Sequence, residues 1–204
     1  MRRTVLLLAT MALTLLVASG VALAVTKIGT NGPDTLRGTN GADQLIGKGG
    51  NDILLALAGN DTLLGGPGKD IVNGGSLSRP FGGEKNLVGG DGNDAVQGGL
   101  GSDNSVGGDG NDWVVGGEFD QPAVKDVISG GDGKDVIDVF NFNNNPAGND
   151  IVTCGGGVDW VLANRNDVVA PDCENVFVGE RKIDPFYASI PGNFFEGLNP
   201  RIFG

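Results

Sequence analysis

Between residues 29 and 162 the chain alternates short apolar triplets with polar, glycine-rich hexads. The centre of each triplet is aliphatic: Leu36, Leu45, Leu54, Leu63 and Val72, then Leu87, Val96, Val114, Ile128, Ile137, Val152 and Val161, with Ser105 the one polar member. Such a triplet has strand alternation, one side chain inward and its neighbours outward. The hexads are built from Gly, Asn and Asp, which favour turns. Nine residues therefore predict one turn and one short strand. Two units complete a coil of eighteen residues, and coils stack with every second unit in line. The expected architecture is all-β, a two-sheet solenoid with a thin internal row of aliphatic side chains. No helical period stands out beyond the N-terminal segment.

Residues 89–115 show the unit most clearly, as GGDGNDAVQ, GGLGSDNSV and GGDGNDWVV. Thirteen units align in this register. Place 6 holds Asp34, Asp43, Asp52, Asp61, Asp70, Lys85, Asp94, Asp103, Asp112, Asp126, Asp135, Asp150 and Asp159 in turn. Glycine accepts positive φ and lets the backbone approach a ligand closely, so a Gly-rich loop turns its carbonyls toward an ion. Ca2+ takes six to eight oxygens from carboxylates and carbonyls. One unit cannot close such a site alone, so the expected site lies between a loop and the equivalent loop one coil later. The candidate ligand loops include Gly89, Gly90 and Gly92; Gly107, Gly108 and Gly110; and Gly130, Gly131 and Gly133.

The long units are the sixth, tenth and twelfth, all even, so every insertion falls on one edge. The odd edge is an unbroken ladder of Asp34, Asp52, Asp70, Asp94, Asp112, Asp135 and Asp159, with extra acids at place 3, Asp91, Asp109 and Asp132. Calcium is expected to fill this edge well, at no more than about six inter-loop sites. It is expected to fill the even edge of Asp43, Asp61, Asp103, Asp126 and Asp150 poorly, and Lys85 is expected to weaken that row locally, since it brings a cation where a carboxylate belongs. At place 7 the odd sheet shows Ile53, Ile71, Trp113, Val136 and Trp160 outward. That apolar stripe calls for cover by the chain's own tail or for a partner.

With these residues the chain resembles the hemolysin-type (RTX) calcium-binding repeat family over residues 29–162. The resemblance implies a parallel β-roll with calcium between stacked loops, held by the aspartates and loop glycines named above. The family's toxin and protease activities belong to large additional domains with no counterpart here, so the resemblance implies no enzyme. The region of Cys154 and Cys173 is similar to the end of small secreted bacterial calcium-binding proteins.

Composition sharpens this picture. Glycine makes up 38 of 204 residues, far above the usual share of about 7%. The formal charge is −11, and −13 without Arg2 and Arg3. A chain this acidic repels itself when compact and offers nucleic acid no basic patch. A multivalent cation relieves the repulsion. Histidine is absent, which removes the commonest acid–base residue and the usual zinc ligand. The acids recur every nine residues rather than within one twelve-residue loop, so this is no EF-hand, and no P-loop spelling occurs.

The ends differ from the middle. Residues 1–24 read as a secretory signal peptide, with Arg2 and Arg3, an apolar run and Ala22-Leu23-Ala24 as a cleavage site. Secretion, with no membrane association after cleavage, is the expectation; an uncleaved anchor is the alternative. Residues 25–162 form the roll. Residues 163–204 supply a capping coil and then a tail with Phe186, Tyr187, Phe194, Phe195 and Phe203. Cys154 and Cys173 are about one coil apart, a spacing that fits a disulfide worth roughly 3 kcal/mol in a secreted chain; two free thiols are the alternative. The function expected is calcium binding in a secreted, non-enzymatic roll that folds on calcium. The competing reading is a cell-surface adhesive or structural protein stiffened by calcium, touching a protein or surface partner through the tail or the apolar stripe.

Overall fold

Repeat spacing alone decides the architecture. The computed structural model describes residues 23–75, 83–117, 124–140, 149–179, 189–191 and 194. Residues 1–22, the centres of the three long units and most of the tail, with Phe186, Tyr187, Phe195 and Phe203, lie outside the described residues. The strands in chain order are β1 (Thr26–Ile28), β2 (Thr35–Arg37), β3 (Gln44–Ile46), β4 (Ile53–Leu55), β5 (Thr62–Pro67), β6 (Ile71–Asn73), β7 (Asn86–Asp91) and β8 (Ala95–Gln97). They continue with β9 (Asn104–Asp109), β10 (Trp113–Val115), β11 (Val127–Gly133), β12 (Val136–Asp138), β13 (Ile151–Gly157), β14 (Trp160–Ala163), β15 (Val168–Val169) and β16 (Asn175–Val178). Odd-numbered strands form one parallel sheet and even-numbered strands the other, each strand pairing with those one coil before and after. The fold is a parallel β-roll. Among the described residues no helix is long and apolar enough to cross a membrane.

The core is the predicted row of triplet centres. Leu45, Leu54, Leu63, Val72, Leu87, Val96, Val114, Ile128, Ile137, Val152 and Val161 form one continuous buried cluster. Each touches its equivalents in register, as in Leu45↔Leu63 and Val114↔Val96. Ser105 lies in this row between Leu87 and Ile128. It is buried, and its hydroxyl has no hydrogen-bond partner.

Three features go beyond the sequence reading. Thr26–Ile28 already forms a strand, pairing with β3, although the repeats were expected to start at Gly29. The coil read as a cap continues both sheets, with β15 on β13 and β16 on β14. The two sheets also differ in strand length. From β5 to β13 the strands entering the odd loops run on for six or seven residues, through the first glycines, whereas β4, β6, β8, β10 and β12 keep three. The odd loops are thereby zipped backbone to backbone, as in Gly90↔Gly108 and Asp91↔Asp109.

Glycine at places 2 and 4 follows from backbone sign. Gly90 has φ 127° and Gly92 φ 136°, values that side-chain-bearing residues rarely adopt. Lys48 and Leu57 stand at place 2 with φ 79° and 82°. These two positions carry a local backbone cost of about 1–2 kcal/mol each.

Cys154 and Cys173 form a disulfide with Cα atoms 5.2 Å apart, joining the last regular coil to the cap. Part of the apolar stripe on the second sheet is covered by the tail. Ile190 and Phe194 pack on Val136, Trp160 and Leu162, with Trp113, Phe140 and Phe177 at the margin.

Replacing Ser105 by Val removes an unpartnered buried hydroxyl and completes the aliphatic row. Ser105→Val is expected to raise the unfolding free energy by about 1–2 kcal/mol, seen as a higher urea midpoint with unchanged slope at fixed calcium. An unchanged midpoint would show that the hydroxyl is satisfied.

Candidate metal centre

The aspartate at place 6 closes each turn, and its two oxygens have different fates. On the odd edge Oδ1 accepts the backbone N–H of the aspartate one coil earlier: Asp34 to Asp52 at 2.8 Å, Asp52 to Asp70 at 2.7 Å, Asp70 to Asp94 at 2.7 Å and Asp94 to Asp112 at 2.8 Å. Asp112 to Asp135 and Asp135 to Asp159 follow at 2.9 and 2.8 Å. The even edge repeats the bond from Asp43 to Asp61, Lys85 to Asp103, Asp103 to Asp126 and Asp126 to Asp150. One carboxylate oxygen of each of these accepting aspartates is thus committed to stacking.

The other oxygen is not. Oδ2 of Asp52, Asp70, Asp94, Asp112, Asp135 and Asp159 is buried with no hydrogen-bond partner, and so is Oδ2 of Asp61 on the even edge. A buried carboxylate oxygen without a partner is costly, and a bound cation would relieve that cost. Asp34 and Asp43 depart from the pattern expected of all the place-6 aspartates. Their Oδ2 atoms accept from the amide and hydroxyl of Thr30 and Thr39, which stand at place 2 where most later units have glycine. The first two units, which make up the first coil, therefore satisfy these oxygens internally.

Glycine at place 1 is required by closeness. A Cβ on Gly89 would come 2.5 Å from Asp94 Oδ2 and 2.6 Å from the Gly107 carbonyl of the next coil. Oxygens of two successive loops converge on that point. Gly107 and Gly130 stand in the same relation to Asp112 and Asp135. At places 2 and 4, a Cβ on Gly108, Gly110, Gly131 or Gly133 would press on the glycine carbonyl one coil earlier. Asp91, Asp109 and Asp132 are exposed at place 3, in one column. Their backbone carbonyls accept from Gly68, Gly92 and Gly110.

Charge accumulates along the odd edge. Burial pushes the carboxyl of Asp70 up to about 6, Asp94 to about 7, Asp112 to about 8 and Asp135 to about 7. The amide bond from the preceding coil opposes this shift, while neighbouring aspartates, including Asp91, Asp109 and Asp132, add to it. The most strongly shifted groups lie in the middle of the ladder.

Several residues here were not singled out in the sequence. Glu174 Oε2 accepts the amide of Asp159 and ends the odd ladder, while Asp167 Oδ1 accepts the amide of Asp150 and ends the even one. Their distance of nearly one coil from those partners is the signal that could have found them. Asn51, Asn93 and Asn111, at place 5, accept from the place-5 amides of Lys69, Asn111 and Lys134 one coil on. The recurring Asn-Asp pair was the visible sign.

Calcium fits this donor set. Among the described residues no three His, Cys, Asp or Glu side chains converge. An ion between loops would therefore draw most of its oxygens from the backbone, with the place-6 Oδ2 supplying charge. That is hard-cation chemistry. The fold and loops define a β-roll with a carboxylate-and-carbonyl row on its regular edge. The RTX calcium-binding nonapeptide repeat matches this chain in four copies, at residues 28–63, 46–76, 86–114 and 125–139. These segments of the chain carry RTX calcium-binding repeats, and the repeats indicate calcium binding. Searches of curated proteins and of solved structures gave no match.

The raised carboxyls set a pH dependence for the metal-free roll. Their folded values lie above the ordinary value of about 4, so the folded state binds more protons than the unfolded one between about pH 4 and pH 8. The stability they contribute is full below pH 4 and is lost as pH rises through 6 to 8. In excess chelator the thermal midpoint is expected to fall steadily from pH 5 to pH 8. A midpoint that is flat or rises over this range would contradict the burial of these carboxyls.

Proposed function

We propose that this protein is a secreted, non-enzymatic calcium-binding roll whose folding is driven by calcium. The observation that carries the reading is the column of buried Oδ2 atoms on the odd edge, from Asp52 to Asp159. Without a cation these oxygens either take up protons or repel one another. With calcium, each cost becomes a binding energy, and binding energy of this kind is folding energy. Neighbouring sites share loops, so occupancy of one orders part of the next and binding is cooperative. The odd edge fills preferentially. Its loops are zipped by backbone pairing, and six of its seven aspartates hold Oδ2 in reserve. Extracellular calcium modules work at about 0.1–1 mM, which suits a secreted chain. The N-terminal segment and the disulfide support that location.

The test is a calcium titration of the chelated chain by far-UV circular dichroism, with magnesium as control. A sigmoidal gain of β signal with calcium alone is expected; full β signal in chelator at pH 8, unmoved by calcium, would refute calcium-driven folding. Asp112→Asn separates the two roles of the carboxylate. Asparagine keeps the acceptor for the Asp94 amide but loses the anionic oxygen. The variant is expected to be more stable than wild type in chelator at pH 8 and to need roughly tenfold more calcium, a loss typical of damaged ligand support.

A second reading, a surface-interaction module stiffened by calcium, rests on the part of the outer face that Ile190 and Phe194 leave open. There a groove of about 310 Å³ is lined by Ile53, Leu55, Ile71, Trp113 and Val115, among others. Deleting residues 180–204 discriminates. Loss of calcium-induced folding identifies the tail as a cap alone, whereas intact folding with lost binding to a cell surface favours the second reading.

A further inference from the structure

Unit six is the one repeat whose place 6 is not aspartate, and its Lys85 is only 2% exposed. Lysine is almost never buried so fully unless its charge is paired. Here the pairing is specific. Nζ donates to the Gly83 carbonyl at 3.0 Å and to the Leu100 carbonyl at 3.2 Å, and it stands 3.9 Å from Asp103 Oδ1. Gly83 is place 4 of the lysine's own loop. Leu100 and Asp103 are places 3 and 6 of the loop stacked on it, in unit eight. Two backbone carbonyls and a carboxylate, drawn from two successive loops, thus surround the ammonium. These are the oxygen types from which an inter-loop calcium site is built.

The stem occupies an equivalent path. A Cβ on Gly74, place 1 of this unit, would meet Lys85 Cδ at 2.7 Å, where the corresponding neighbour of Gly89 is Asp94 Oδ2 at 2.5 Å. The methylenes run through the space that the carboxylate oxygen takes in other units, and they deliver the charge just beyond it. The stacking bond survives, because the Lys85 amide still donates to Asp103 Oδ1 at 3.0 Å. One coil earlier, burial raises the Asp61 carboxyl and the Lys85 charge opposes that rise. The ammonium therefore acts on the even-edge carboxylates of both neighbouring coils.

We infer that the Lys85 ammonium takes the place of a calcium ion between units six and eight, so that this junction of the even edge is closed by a tethered cation and needs no metal. The inference rests on the calcium reading above. A charge that travels with the chain is present at every calcium concentration. It gives the roll one permanently closed junction in mid-chain, between units six and eight, while other junctions wait for ions.

The experiment compares the full purified chain with Lys85→Asp and Lys85→Met, counting bound calcium by equilibrium dialysis at saturation and measuring thermal midpoints in calcium and in chelator. Lys85→Asp restores the repeat spelling and is expected to bind one calcium more than wild type, with its midpoint low in chelator and recovered in calcium. Lys85→Met keeps the stem but not the charge. It is expected to bind no additional ion and to melt below wild type in both conditions, because Asp103 loses its cation. Equal calcium counts for wild type and Lys85→Asp would overturn the inference. So would a Lys85→Asp chain that fails to fold in saturating calcium, or a Lys85→Met chain as stable as wild type. A wild-type chain that binds no calcium would instead remove the calcium reading itself, and that outcome is visible before any variant is made.

Discussion

The carboxylate at place 6 is the joint on which the roll depends. Its Oδ1 caps an amide of the preceding coil, so stacking and turn closure are the same interaction. This placement buries the whole group, because a ladder bond between coils lies inside the loop edge rather than on it. Burial in turn strands the second oxygen. A hydroxyl or an amide in place of aspartate could cap the turn without that cost, yet it would leave no anionic ligand. Structural role and charge are therefore inseparable in one side chain, and under the proposed function a cation resolves the conflict between them.

The two edges resolve it differently. The odd edge keeps short, regular loops that continue the β-ladder, and it repeats the same buried oxygen from Asp52 to Asp159. The even edge carries the insertions and uses local substitutes. Thr39 takes the second oxygen of Asp43, and Lys85 supplies a positive charge beside Asp103. At the N-terminal end of the odd edge Thr30 does the same for Asp34. At the C-terminal end Glu174 and Asp167 finish the ladders with acids that no longer obey the nine-residue spelling. The ends of a solenoid have a neighbour on one side only, so they must satisfy themselves.

Most of the architecture was legible because a solenoid turns sequence distance into spatial distance. Contacts between coils join residues about one coil apart, so a column such as Leu45, Leu63 and Leu87 can be read from the chain. The row of place-6 aspartates and the odd–even separation of the insertions were legible for the same reason. What escaped notice either broke the period or lacked the glycines, as with the strand Thr26–Ile28 and the capping acids, or kept a spelling common to turns and made modest bonds, as with the place-5 asparagines.

By itself, then, the sequence determined the repeat, the two parallel sheets, the single aliphatic row and which aspartates share an edge. All of these follow from local spacing and chain geometry. The tertiary structure decided which oxygen of each carboxylate is engaged, and that Asp34 and Asp43 are already satisfied. It also decided where the Lys85 ammonium comes to rest, and that Ile190 and Phe194 fold back over Val136, Trp160 and Leu162. These matters depend on the direction of a side chain between two stacked loops, or on a return of the chain with no period. Neither is written in the spacing of residues along one coil.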